Sequence, residues 1–430
     1  MAIDVKPILE ELESRTGLVD STSSTQELYD LYKTGQSLGG GSNITVYETE
    51  DDLPFLLDAT PDVGNLAFVK STFSTYVKDN QGWKRSQSSV TDRWMNGSNY
   101  GYTHSGSSGI PSNADNADTE KYSFSSQTNS VGITGFSPQA QGITGFSSKE
   151  SAYITGGAPP APFTYNRDID KMPFSSETAS TVAGQVFTVG AHVTPQSSPN
   201  PGTQGFYQAC STNDIVGSRG YVFAGDNAYA PSGFTTVSSL LTSTDVLSQS
   251  VGNLNGLAYR GGACNDTNNA YVHRDTPTNP SVAYLELQVY SFANNTLVSN
   301  NIVQSPITPG ANNSPYSEGL VNSLENGYVS LHFTPQPAYS TGITKFPFAT
   351  SPVSITNVGD ISNVREYGTA NSSFSDGFFV GGRIPSGAPP GVFTVFSSVD
   401  RFPFASEGTC ADHGDMVTAK NRHVGTNLQY

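Results

Sequence analysis

Six histidines, three cysteines and two short acidic clusters are the residues of this chain best equipped for chemistry, and their spacing decides of which kind. His104, His192, His273, His332, His413 and His423 include no HExxH and no i,i+4 pair that would set two imidazoles on one zinc, and no cysteine stands at ligand spacing from them. His104 and His273 occupy equivalent places in a repeat described below, which reads as a shared structural position. Cys210, Cys264 and Cys410 are odd in number, far apart and without a CxxC, the pattern of reduced thiols and not of a disulfide framework. Asp115, Asp118 and Glu120 form one acidic cluster and Asp168 with Asp170 a second. Both stand just before a repeated phrase, where a strand-flanking turn is the ordinary reading and a calcium site the minor one. No G-x-S-x-G elbow, P-loop or dinucleotide fingerprint is present. The expectation is therefore a protein with no catalytic residue, no metal and no cofactor.

Composition narrows the partners. Charged residues make up 13% of the 430, against 43 Gly, 26 Pro and 11% aromatics, which is the profile of a turn-rich, mainly β protein with a neutral polar surface. A net charge of -16 argues against nucleic acid, whose phosphates need a basic face, and against docking on anionic membranes. No apolar run approaches the roughly 18 residues of a membrane span, and the N-terminus lacks a basic start and an apolar signal core, so a soluble, cytosolically made chain without membrane insertion is expected.

The element that must position any site is a repeat. An aromatic-X-Phe phrase followed by small polar residues recurs at Tyr122-Ser123-Phe124, Met172-Pro173-Phe174 (with Met in the aromatic place), Tyr290-Ser291-Phe292, Phe346-Pro347-Phe348 and Phe402-Pro403-Phe404. About 20 to 25 residues before each, a small residue and an aromatic open a strand-like run, at Tyr102, Tyr153, Tyr271, Tyr328 and Phe378. A sixth opening, Tyr221, is followed by a phrase degraded to Asp245-Val246-Leu247-Ser248. Successive openings are 51, 68, 50, 57 and 50 residues apart, the period of kelch-like propeller blades, and each unit reads as several short strands joined by Gly, Pro, Asn and Ser turns. A blade cannot bury its own faces, so the units must stack, and the repeated aromatics read as packing between blades ahead of a sugar-stacking platform. The last unit stops where the next opening should begin. The C-terminal strand is thus expected to join the blade that starts near Tyr102 and close the ring, removing its free edges.

The expected organisation is an N-terminal helical anchor over 1–42, a small β-meander module over 43–90 and a propeller of about six blades over 91–430. Pro7 and Gly17 bound a first short helix with Ile8, Leu9 and Leu12 on one face. Ser24 and Glu27 form a capping box ahead of Leu28, Leu31 and Tyr32 in a second helix. Such short helices need a partner surface, so Ile8, Leu12, Leu28, Leu31 and Tyr32 are the candidate attachment residues. Recognition is expected in loops that differ between units: Gly225–Gly233 with Asn227 and Tyr229, the stretch from Arg274 to Pro280, and Arg383–Gly391.

With Asp400-Arg401-Phe402-Pro403-Phe404-Ala405-Ser406 and Phe379-Val380-Gly381-Gly382 in view, the repeat region resembles kelch-like propellers, above all those in structural proteins of marine tailed phages. The Trp usual in kelch blades is absent from the repeats. The segment from Gly64 through Trp83 and Lys84 resembles a small module near the N-termini of phage fibre and tail proteins. The resemblance implies a non-enzymatic virion component assembled in the host cytoplasm. Its N-terminal part would contact a portal, tail or capsid protein, and its propeller would be displayed in multiple copies toward a host-surface glycan or receptor. A polysaccharide-degrading virion enzyme with a carboxylate pair in the central channel, or a cellular carbohydrate-binding propeller, are the alternatives.

Overall fold

The computed structural model describes strands within residues 44–85 and most of residues 99–427. Outside the description lie 109–117, 159–167, 186–208, 224–234, 256–260, 275–283, 305–314, 334–340, 349–354, 386–392 and gaps of one to four residues. The candidate attachment helices, with Ile8, Leu12, Leu28, Leu31 and Tyr32, fall outside the described residues. The chain divides into two compact units, Met1–Arg93 and Trp94–Tyr430. In the first, Leu66–Val69, Ser74–Asp79 and Gly82–Arg85 form the expected meander, and Ile44–Tyr47 adds a fourth strand parallel to Leu66–Val69.

In the second unit the repeats become six blades of four antiparallel strands, the outer strand Thr356–Asp360 also pairing in parallel with Gly408–Thr409, and no helix occurs among the described residues. Blade one takes its inner strand from the other end of the chain: Val424–Asn427, then Tyr100–His104, Thr119–Ser123 and Val131–Ile133. From inner to outer, blade two is 141–147, 151–158, 168–173 and 181–185, and blade three is 210–214, 219–223, 236–241 and 246–253. Blade four is 263–265, 269–274, 284–291 and 296–304. Blade five is 315–322, 326–333, 342–347 and 356–360, and blade six is 369–372, 376–380, 398–403 and 411–415. Each inner strand touches the next around the circle, and 369–372 meets 424–427, so the ring is closed. Thr426 faces Tyr102 across the joint, as the repeat arithmetic predicts.

Burial explains why the second strands read as continuous apolar or small runs. All five residues of Asp376–Val380 are buried, because both faces of a blade are covered by neighbours. The buried apolar side chains form six clusters, one for each seam between blades. In five of the six blades the aromatic of the second strand lies on the Phe of the next blade's repeated phrase: Tyr102 on Phe174 (5.1 Å), Tyr221 on Phe292 (4.9 Å), Tyr271 on Phe348 (4.7 Å), Tyr328 on Phe404 (5.0 Å) and Phe378 on Phe124 (4.7 Å). The small residue before the aromatic admits a ring on the blade's other side: a Cβ on Gly220 would stand 2.0 Å from the Phe146 ring of blade two.

One reading of the repeat needs correction. The third strand of blade three is Thr236–Leu241, so its degraded phrase ends on Thr242, whereas Val246-Leu247-Ser248 already belongs to the outer strand. Thr242 takes the place of the phenylalanine, and its carbonyl accepts a hydrogen bond from Tyr153 Oη instead of offering a ring. The seam is polar there.

A second code runs beside the aromatic one. The residue paired with the second-strand aromatic is Lys121, Lys171, Ser239, Val289, Lys345 or Arg401 in blades one to six. In the next blade, the position after the third strand's turn is Glu177, Asp245, Asn295, Ser351, Glu407 or Gln127. Acids occur only opposite the lysines. Lys121 donates to Glu177, Lys171 to Asp245 (2.7 Å) and Lys345 to Glu407 (2.7 Å), while Arg401 turns back to Asp376 in its own blade (2.8 Å). Glu177, Asp245, Asn295 and Glu407 share a left-handed φ of 48–54° at this place. These partly exposed pairs contribute little energy and set which faces fit. Lys171→Glu should lower stability by about 1 kcal/mol and Lys171→Glu with Asp245→Lys should recover most of it, read from urea midpoints.

Candidate functional site

Strand direction places the long connections together. In each blade the second strand ends at the face where the inner strand begins, so the connections into inner strands and those from second to third strands leave on the same side. The second-to-third connections are 105–118, 159–167, 224–235, 275–283, 334–341 and 381–397. On the opposite face the inner-to-second turns shrink to 148–150, 266–268, 323–325 and 373–375. Asn227 and Tyr229 lie outside the described residues, in the blade-three connection. Arg274 ends the second strand of blade four.

On the ring's axis a cavity of about 120 Å³ is lined by one segment of every blade: 143–145, 209–211, 261–263, 319–320, 368–370 and 423–425. Its wall is mostly backbone, because the inner strands approach too closely for side chains. A Cβ on Gly262 would stand 2.6 Å from Leu320 Cδ1 in the next inner strand, and one on Gly425 would be 2.5 Å from Asn371 Oδ1. Peptide groups and the hydroxyls of Thr144, Ser211 and Thr369 are therefore what a ligand meets.

The rim is built by the residue that precedes each lining segment. Gly142, Tyr367 and Arg422 occupy this place in blades two, six and one with φ of 69°, 60° and 55°. Arg422 N donates to the Tyr367 carbonyl (2.7 Å) and Gly142 N to the Arg422 carbonyl (2.9 Å), a chain of bonds that holds the non-glycine residues in a strained conformation. The guanidinium carbons of Arg383 and Arg422 lie 4.7 and 5.0 Å from the centre of the Tyr367 ring. Arg383, expected in an exposed recognition loop, is instead 7% exposed, begins the hairpin strand Arg383–Pro385 and pairs with Glu366 (3.3 Å). Burial and then the neighbouring Arg422 hold its pKa below the usual arginine range.

Behind the rim, two equivalent loops each press a cation onto a buried carboxylate. Arg365 meets Asp400 at 2.7 Å and Lys420 meets Glu120 at 2.9 Å, all four side chains being 0–1% exposed. The Ser362 N–H also bonds Asp400, as the Val417 and Thr418 N–H groups bond Glu120. Glu120, read in sequence as part of a turn, is a strand residue that anchors the closing loop, and Asp168 and Asp170 likewise lie in a third strand. Burial, and then Asp168, raise the Asp170 carboxyl to about 6. Among the described residues no group of three or more metal-ligating side chains forms. The three cysteines are buried free thiols.

His104 is enclosed between Thr119 and Thr426 hydroxyls, at 3.2 and 2.6 Å, and Phe136. His192 and the His332 side chain lie outside the described residues. His413 Nε2 is 2.7 Å from the Ser123 carbonyl oxygen. His423 lines the axial cavity, and neither of its ring nitrogens makes a hydrogen bond of good geometry; the Val380 backbone exerts a weak pull on it. Burial, then Lys420 and Arg365, lower its pKa to about 3, and burial lowers that of His273 to about 4. Folded values depressed below the unfolded 6.5 leave stability intact above that pH and remove it as acid drives these rings toward charge. Asp170 opposes them with one proton. Urea midpoints should therefore fall from pH 7 to pH 5, and His273→Leu should flatten the fall.

No protein-family model matches the chain, and no curated protein matches it. Among solved structures it is similar to one titled "Structure of YjhT", at 13% identity and a TM-score of 0.47, over 68% of this chain and 88% of that one. The class is defined by the ring itself, six four-stranded antiparallel blades closed by the chain's own end: a six-bladed β-propeller.

Proposed function

We propose that this chain is a non-enzymatic, kelch-like component of a tailed-phage virion whose propeller recognises a host-surface glycan. The observation that carries the reading is the asymmetry of the ring. One face carries short inner-to-second turns, whereas the strand ends from which the long second-to-third connections leave stand on the other, where the polar axial cavity opens. A neutral, hydroxyl-rich composition suits weak contact with sugars, and many copies on a particle would supply avidity. Binding is favoured over hydrolysis because no carboxylate is among the described residues of the cavity wall, where a hydrolase would need two. The Met1–Arg93 unit, with Ile8, Leu12, Leu28, Leu31 and Tyr32, is the attachment part under this reading. Gold-labelled antibody against the propeller should decorate purified particles. Particles that remain unlabelled while the antibody binds the free protein would overturn the virion assignment.

A further inference from the structure

Every third strand buries a polar residue at one place in the repeat, opposite the residue that follows the second-strand aromatic. In blades one to six these are Glu120, Asp170, Ser238, Gln288, Thr344 and Asp400. Three are carboxylates. Lys420 answers Glu120 and Arg365 answers Asp400, but among the described residues no cation and no N–H reaches Asp170, which is 6% exposed. A carboxylate so deeply buried requires a positive partner or a proton.

The difference lies in the loop that enters each blade. In blades six and one that loop sets a buried apolar anchor, Ile361 or Met416, in the core and gives the next N–H to the carboxylate. Its cation stands four residues after the anchor and three before the first wall residue of the cavity, Gly368 or His423. The loop into blade four has the same form, with Leu254 as anchor and the Asn255 N–H on Gln288. In the loop into blade two the anchor is Phe136 and the wall begins at Ile143. Both counts fall on Ala140, and the stretch from Thr134 to Ala140 contains no Lys or Arg. The repeat thus keeps the carboxylate and omits its cation. Asp168 adds a second acid on the same face of the strand, two residues away, and burial and then this neighbouring charge raise the Asp170 carboxyl to about 6.

We infer that the seam between blades one and two binds a calcium ion in place of the side-chain cation that the repeat supplies elsewhere. Asp170 and Asp168 offer hard carboxylate oxygens, and main-chain and water oxygens complete the roughly six to eight that calcium takes. Two acids together favour a divalent ion. Magnesium, which demands a strict octahedron and gives up its water reluctantly, suits a site with two protein carboxylates less well. The ion would join the third strand of blade two to the loop that leads into the cavity wall, as Arg365 and Lys420 do in their blades. Neither glycan recognition nor a virion is needed for it.

Calorimetric titration of the chelator-treated full chain with calcium chloride, at constant ionic strength, should show saturable binding at about 0.1–1 mM, with magnesium at least tenfold weaker. Calcium should also raise the thermal midpoint. Asp170→Asn, which keeps the shape and removes the charge, should weaken calcium at least tenfold. Ala140→Lys, which restores the residue type of Lys420, should abolish calcium binding and bring the calcium-free midpoint up to that of the calcium-loaded parent. Circular dichroism checks the fold of each variant, and Ala140→Lys decides the matter if Asp170→Asn does not fold. No saturable heat at millimolar calcium, or undiminished calcium binding in either folded variant, would overturn the inference and leave Asp170 to a proton alone. Magnesium binding as tightly as calcium would overturn the choice of ion.

Discussion

A chain stopped at His423 is expected to lose the propeller as a cooperative unit. The missing strand pairs with Gly101–His104, supplies Thr426 to His104, and seats Gly425 against Asn371. Three or four cross-strand hydrogen bonds at about 1 kcal/mol each, together with about 2 kcal/mol for burying Val424, approach the 5–15 kcal/mol that holds a typical domain together. The loss also leaves 100–104 as an unpaired edge in the centre of the molecule. Urea unfolding followed by circular dichroism should become broad or start from an already disordered baseline, and added dye should report exposed apolar surface. A synthetic peptide of residues 424–430 should partly restore the transition. A sharp transition at the parental midpoint in the truncated chain would refute closure as the source of stability.

Arg365→Met should cost about 3–5 kcal/mol, because it strands the Asp400 carboxylate at 1% exposure. Removing both charges, as Arg365→Met with Asp400→Leu, should return most of that loss, since a well-packed apolar pair commonly equals a buried ion pair. A single variant within 1 kcal/mol of the parent would mean that water or another cation reaches Asp400. The equivalent Lys420→Met change is expected to act in the same direction on Glu120, with the added effect of loosening the loop that leads into the closing strand.

The ring was legible in the sequence because seam packing demands an aromatic on both sides of nearly every joint. Tyr102 with Phe174 and Phe378 with Phe124 leave a signal at a fixed period. Closure was legible because the last repeat lacks its final element. What escaped was polar. The lysines at 121, 171 and 345 stand immediately before the repeated phrase, and their acids follow three residues after the phenylalanine position of the next copy, so comparing copies with one another would have found the pairing. Thr242 was missed because it replaces the ring by which the phrase is recognised. The cavity wall left almost no trace, since the segments that line it are mostly Gly, Ala, Ser and Thr, which also describes a loop. Arg383 looked like a loop residue for the same reason. Its two neighbouring glycines, Gly381 and Gly382 at φ of 60° and 96°, turn the chain inward and bury the guanidinium against Tyr367.

Because blade one draws on both ends of the second unit, order of synthesis matters. Residues 100–133 leave the ribosome long before 424–427, and at about 5–20 residues per second the interval is roughly 15–60 s. Throughout it the first sheet has one bare margin, and any chaperone or neighbouring nascent chain that supplies a strand there competes with the protein's own last one.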